Sequence, residues 1–243
     1  MVAQTLALPN LRRFFVPDYG YYICEVDLAG ADAQVVAWDA GDEDLKDAFK
    51  AGVKIHLKNA KDMFPDVVRG WSDEAIKATD KPGGIYYNNK RFIHGTHYLG
   101  GVSTIALATG WTQHEVGRCQ KRWFDLHPAI PRWHTRLDQE LAETRSAHNA
   151  FGYRIKYFER PDRLLPEAAA WVAQSTVALV CRKGMKQLFA KHKSWLNLLL
   201  QNHDACTFQF PMSRLADLPL IKQSLSVTVP YEDPLIIPWG LTI

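Results

Sequence analysis

Residues 198–210 read LLLQNHDACTFQF: the chain rises through Leu198, Leu199 and Leu200, is interrupted by His203 and Asp204, and resumes through Thr207, Phe208 and Phe210. Both flanks read as strands, so the polar pair falls at a hairpin tip or strand end, where side chains are held rigidly yet stay open to solvent. A bare His-Asp dipeptide is equally what an ordinary turn looks like. A chemical role therefore requires a partner for Asp204 elsewhere in the chain.

The stretch 21–27, YYICEVD, supplies a candidate. It is rich in aromatic and β-branched residues, reads as a strand, and ends on Asp27. Two carboxylates converging at strand ends make a site for hard divalent cations, because Mg²⁺ takes oxygen ligands and keeps room for water and substrate phosphates. Two such ions about 3.5–4 Å apart would suit phosphoryl transfer.

Between these strands the punctuation is helical. GDEDLKDAFKAG (41–52) reads as a short helix with acids in its first turn and Gly52 as its stop; the spacing predicts another helix over 86–99; and TQHE (112–115) is a capping box opening a helix that closes before Pro128. After Pro131 a helix is expected towards Ser146, FGYRIKYF (151–158) looks like an extended ribbon, and Pro166 starts a helix through Lys186. Strands are expected again at 196–210 and 224–229. Strand, helical block, then strands is the order of an α+β fold: an antiparallel sheet with a helical insertion.

Composition bounds the function without choosing it. With 243 residues, 47% of them hydrophobic, the chain can bury a core as one large domain or two lobes. A formal charge of +3 permits a nucleic-acid partner but does not require one. Cys24, Cys119, Cys181 and Cys206 are widely spaced with no CxxC pair, which argues against a zinc knuckle or a disulfide framework and for a reducing cytoplasm. No uninterrupted apolar run reaches the roughly 18 residues of a membrane span, and no membrane partner is expected. The eight tryptophans are scattered and read as packing, and the basic pairs Arg12-Arg13, Lys121-Arg122 and Arg182-Lys183 read as solvated surface.

In the 86–99 segment Lys90, His94 and Tyr98 recur every four residues and share a face, with Tyr86 and Tyr87 one turn earlier. Such a face suits a half-buried amphipathic helix. That is the reading spacing alone favours, and the same face could also hold a triphosphate by a lysine point charge, with rings on which a base can stack. Gly95 in mid-helix costs roughly 1 kcal/mol relative to Ala and permits close approach of a ligand or another helix.

These residues carry a resemblance. ICEVDLAGADAQVVAWDAGDEDLKDAF followed by Ile55-His56, KRFIHGTHYLGG, and LLLQNHDACTFQF resemble, in order, the first palm motif, the fingers motif and the second palm motif of family A DNA polymerases, the group of bacterial DNA polymerase I and many phage replicases. The likeness runs from LPNLRRFFVP to LIIPWG. It implies palm segments at 1–60 and 131–243, fingers at 61–130, and a phage or bacterial cytoplasmic enzyme extending a primer-template with dNTPs. By resemblance, Asp27 and Asp204 would be the metal-binding catalytic aspartates, with the Leu28 carbonyl as a further ligand for two Mg²⁺ ions, or Mn²⁺ in their place. Lys90 would contact the incoming triphosphate, Asp32 would crowd the sugar 2′ position, His94 would flank the sugar, and Tyr98 would stack near the templating position. His203 would face the primer terminus, and Arg154 and Gln174 would line the primer-template backbone.

The chain departs from the family pattern at Ala205, Gln34 and Tyr86, where a glutamate and two arginines are expected, and at Leu99, where a glycine is expected before Gly100 and Gly101. The thumb and exonuclease domain that the pattern places upstream are not in the 243 residues. The expectation is weak extension by this chain alone and a separate chain carrying thumb or exonuclease, since phosphate contacts dominate duplex affinity. Three alternatives remain: a single-subunit RNA polymerase, against which Asp32 argues; a catalytically impaired DNA-binding or assembly module, favoured by Ala205, Gln34 and Tyr86; and an HD-type phosphohydrolase, whose further histidines would have to be His56, His94 and His97.

Overall fold

A computed structural model describes residues 14–158 and 164–243; Arg12-Arg13 lie outside them. The chain forms two compact units: one takes the chain through Ala29 together with Cys181–Val227 and Pro238–Ile243, the other Gly30–Val180 and Thr228–Ile237.

The first unit is built on a four-stranded sheet. Strands β1 (Tyr21–Leu28), β4 (Asn197–Asn202), β5 (Ala205–Pro211) and β8 (Trp239–Thr242) lie in the order β4-β5-β1-β8, and every pairing is antiparallel. Strand side chains alternate between faces. Cys24, Val26 and Leu28 therefore point into the core with Cys206, Phe208 and Phe210 of the neighbouring strand, all at most 2% exposed. Each fully buried side chain of this size contributes about 1.5–3 kcal/mol. Glu25 and Asp27 fall on the opposite face, and Asp27 is exposed.

That core is closed by the last part of the long helix α9 (Leu164–His192) and by α10 (Leu218–Leu225). Gly184 of α9 is buried where a Cβ would lie 2.8 Å from the Leu225 carbonyl oxygen and 3.2 Å from the Trp239 ring, and the Trp239 indole N–H donates to the same carbonyl at 3.0 Å. Of the strand expected over 224–229, only Thr228–Val229 forms. LPLIKQSL has apolar residues at helical spacing with Pro219 in the first turn, so 218–225 folds as a helix, and Thr228–Val229 (β6) pairs with Leu235–Ile236 (β7) in a separate ribbon.

The second unit is mostly helical: α1 (Ala31–Ala40), α2 (Glu43–Lys50), α3 (Ile55–Met63), α4 (Asp73–Lys77), α5 (Ile85–His97), α6 (Val102–Thr109), α7 (Gln113–Leu126), α8 (Ala129–Thr144) and the first part of α9, with the ribbon of β2 (Ser146–His148) and β3 (Arg154–Lys156). Local signals explain the ends. Asp42 accepts from the Leu45 N–H to cap α2, and Thr112 and Glu115 form the capping box of α7. Pro131 and Pro166 sit inside the first turns of α8 and α9 rather than before them, where no helical N–H is required. α9 is long and apolar enough to cross a membrane by length and composition, yet half of its most apolar window is buried. That is how a core helix is placed. Trp38, Trp123, Trp133 and Trp239 are buried, whereas Trp71 is 42% exposed.

Candidate active site

The backbones at two sequence-distant acids come together on the sheet. β1 ends beside the β4–β5 hairpin, whose two-residue tip is His203-Asp204. Asp27 stands directly opposite Ala205, and the Leu28 N–H donates to the Asp204 carbonyl oxygen at 3.2 Å. Leu28 itself is buried, Asp27 is exposed and Asp204 is half-buried. On the other side Asp27 faces Gly240 of β8. A Cβ at position 240 would lie 2.7 Å from the Asp27 Oδ1, so the carboxylate occupies space that only glycine leaves free. Gly240 is a site residue that sequence reading passed over: a lone strand glycine reads as a weak point, and only the register reveals its neighbour.

The donors are carboxylate oxygens, hard ligands open to solvent on a rigid strand end, and this set fits a divalent cation of the Mg²⁺ class. At the hairpin tip, exposed His203 has φ 52°, a left-handed conformation costing a non-glycine residue on the order of 1 kcal/mol.

In the helical unit, Asp32 from the first turn of α1 meets two residues of the α5 face. His94 Nδ1 lies 3.7 Å from Asp32 Oδ2, and the His94 and Tyr98 rings pack edge-on at 4.7 Å. Burial, then the Asp32 charge, raises the Tyr98 phenol well above its ordinary value. Tyr98 itself is the C-cap of α5, so the helix ends short of Leu99, which takes φ 55°. Gly95 permits the approach of a helix: a Cβ there would lie 3.0 Å from the Ile105 side chain of α6.

Lys90 is already engaged, 2.9 Å from Asp80 Oδ2 and 5.2 Å above the Tyr86 ring. Arg154 of β3, paired with His148, and Gln174 of α9 are both exposed. Among the described residues, neither His56 nor His97 belongs to a cluster of three metal-competent side chains. Burial and then Lys90 push His56 down to about 4, while burial and then His134 push His97 down to about 3.

A further acidic group went unnoticed in the sequence. Ligand atoms of Asp42, Asp44 and His127 lie within 4.8 Å of one another and could hold a metal. Each acid is otherwise occupied, however. Asp42 caps α2 and lies 3.2 Å from His127 Nδ1, and the Lys58 ammonium sits 2.8 Å from Asp44. Burial would raise the Asp42 carboxyl, but hydrogen bonds from His127 and the Leu45 N–H outweigh it and hold it below its ordinary value.

The model of the family described as DNA polymerase family A matches residues 3–236. The chain belongs to DNA polymerase family A. Among similar proteins, this family A chain is 26% identical to the thermostable DNA polymerase I of Thermus filiformis, over 96% of its own length and 28% of that protein's. It is 24% identical to DNA polymerase I of Lactococcus lactis subsp. cremoris, covering 93% of the chain and 26% of the relative. A DNA polymerase of Mycobacterium phage D29 is 27% identical over 63% of the chain and 24% of that polymerase. The chain thus spans about a quarter of the length of these relatives. In fold it is similar to a solved structure of the POL domain of Pol1 from M. smegmatis in complex with DNA primer-template and dNTP, with TM-score 0.78 and 16% identity over 93% of this chain and 40% of that one. The α+β architecture, an antiparallel sheet with a large helical block, is that of a family A polymerase domain.

Proposed function

We propose that this chain carries the palm and fingers of a DNA-directed DNA polymerase and transfers nucleotidyl groups from dNTPs to a primer 3′ end. In this reading residues 1–60 and 131–243 are palm and 61–130 fingers. The observation that carries it is the pairing of Asp27 with the His203-Asp204 hairpin, with Gly240 leaving room for the Asp27 carboxylate.

Asp27 and Asp204, with the Leu28 carbonyl, would hold two Mg²⁺ ions, or Mn²⁺ in their place. When bound, such ions lower the pKa of an attacking hydroxyl and stabilise a leaving oxygen. The rest falls to the chain's own side chains. Lys90 neutralises charge on the triphosphate as a point cation. Asp32 occupies the sugar 2′ side, held against His94, and its short carboxylate disfavours ribonucleotides. Tyr98, whose phenol stays neutral, offers a ring near the templating base. His203, aimed outward by the hairpin tip, meets the primer terminus, and the exposed Arg154 and Gln174 bind the primer-template backbone.

The test is primer extension on a primed single-stranded template, with and without Mg²⁺, by the wild-type chain and Asp204→Ala. Metal-dependent extension abolished by the substitution is expected. Equal extension by both proteins would refute the reading. Template binding without extension by either would favour the non-catalytic module suggested by Ala205, Gln34 and Tyr86.

A further inference from the structure

Lys90 is paired with Asp80, which belongs to none of the sequence motifs. Asp80 sits in the turn joining α4 to α5, and that turn is tied at both ends. The Asp80 N–H donates to the Lys77 carbonyl at 2.9 Å, Lys81 N–H to Thr79 at 2.8 Å, and Gly84 N–H to Lys81 at 2.8 Å. The Thr79 hydroxyl donates back to the Ile76 carbonyl at 2.6 Å and accepts the Tyr86 N–H at 3.0 Å, fastening the turn to the first turn of α5. Gly84 packs so tightly that a Cβ there would lie 1.9 Å from the Thr79 carbonyl oxygen. Asp80 is thus a carboxylate on a rigid mount, 2.9 Å from the Lys90 ammonium, with both side chains 41% exposed.

We propose that Asp80 is a positioning residue that holds Lys90 in an ion-paired resting state, and that an incoming polyphosphate must displace it, so that Asp80 sets the affinity of α5 for triphosphate. The inference rests on the reading of Lys90 as the triphosphate contact. The physics suits a latch. An exposed carboxylate–ammonium pair is weak enough to yield to a ligand with several charges, yet it orients the lysine and screens it from single anions. Tyr86 supports the same pose, since its ring lies 5.2 Å beneath the ammonium. His56, edge-on to Tyr86 at 6.1 Å, feels both charges: Lys90 lowers its pKa and Asp80 raises it.

The test measures binding of inorganic tripolyphosphate by calorimetry on the full chain, using wild type, Asp80→Asn, Asp80→Glu and Lys90→Ala. Removing an exposed competitor predicts binding about two- to fivefold tighter in Asp80→Asn, near wild type in Asp80→Glu, and largely lost in Lys90→Ala. The gain in Asp80→Asn shrinks as salt rises, and in extension assays it appears as a lower KM for dNTP at unchanged kcat. The His56 imidazole resonance should titrate at lower pH in Asp80→Asn, which reports loss of the charge independently of binding. Unchanged or weaker tripolyphosphate binding in Asp80→Asn, with Lys90→Ala still losing it, overturns the latch and leaves the Lys90 reading standing. Wild-type binding by Lys90→Ala overturns both.

Discussion

Replacing Gly240 by alanine adds one methyl group directly against the Asp27 carboxylate. The new Cβ would lie 2.7 Å from Asp27 Oδ1 and 3.6 Å from its Cγ. Ordinary contact needs about 3.5 Å, so the carboxylate must retreat by about 0.8 Å or leave its rotamer, at a cost on the order of 1 kcal/mol. Gly240 has no left-handed backbone, so alanine brings no φ strain and the fold should lose little. Displacement of a ligand by nearly 1 Å costs up to about 100-fold in rate. The expectation is Mn²⁺ affinity lowered by about tenfold and primer extension by tens of fold, with a nearly unchanged Tm. Mn²⁺ titration followed by EPR, with thermal unfolding as the control, makes the measurement. Wild-type Mn²⁺ binding and extension in Gly240→Ala would refute the proposed metal-binding role of the Asp27 carboxylate.

Other expectations concern stability. Asp39 accepts from the Trp133 indole and the Tyr231 hydroxyl, yet burial outweighs both and raises its carboxyl above the ordinary value of 3.8. The native state therefore holds this proton more tightly than the unfolded chain, and stability is lost as pH rises through the folded pKa. Asp39→Asn should gain stability relative to wild type as pH climbs above the ordinary carboxylate value of 3.8; parallel Tm–pH curves would contradict this. His56 and His97, lowered to about 4 and about 3, work in the other direction. The unfolded chain takes up their protons first, so the urea midpoint should fall between about pH 6.5 and 4, and a flat midpoint would count against their burial. Gly184→Ala places a Cβ 2.8 Å from the Leu225 carbonyl oxygen; overpacking of about 1–3 kcal/mol should exceed the roughly 1 kcal/mol that alanine adds to a helix, and an unchanged or higher Tm would refute that packing.

The sheet was legible because its signals are local. Alternation in YYICEVD and the polar interruption in LLLQNHDACTFQF place Asp27 and Asp204 at strand ends, and the observed register joins them. The capping box at Thr112 and the acidic first turn of α2 were equally plain. What escaped lies in pairings that local pattern cannot encode. Gly240 matters only because β8 runs beside β1. Asp80 matters only because a tight turn folds it back towards Lys90 ten residues later, and Asp32 meets His94 only through tertiary structure, 62 residues apart along the chain. The 224–229 expectation failed where β-branched residues at 227–229 outweighed, on paper, the helical spacing of the preceding LPLIKQSL.

In the proposed reaction Asp27 and Asp204 together hold the ions for nucleotidyl transfer. EPR of the wild-type chain with Mn²⁺, a primer-template ending in a dideoxynucleotide and the next dNTP tests it most directly. Two bound ions magnetically coupled at about 3.5–4 Å are expected, with the coupling lost in Asp27→Ala and in Asp204→Ala. Coupled ions that persist in either variant, or a wild-type chain that binds primer-template and dNTP yet gathers no ion pair, would contradict it.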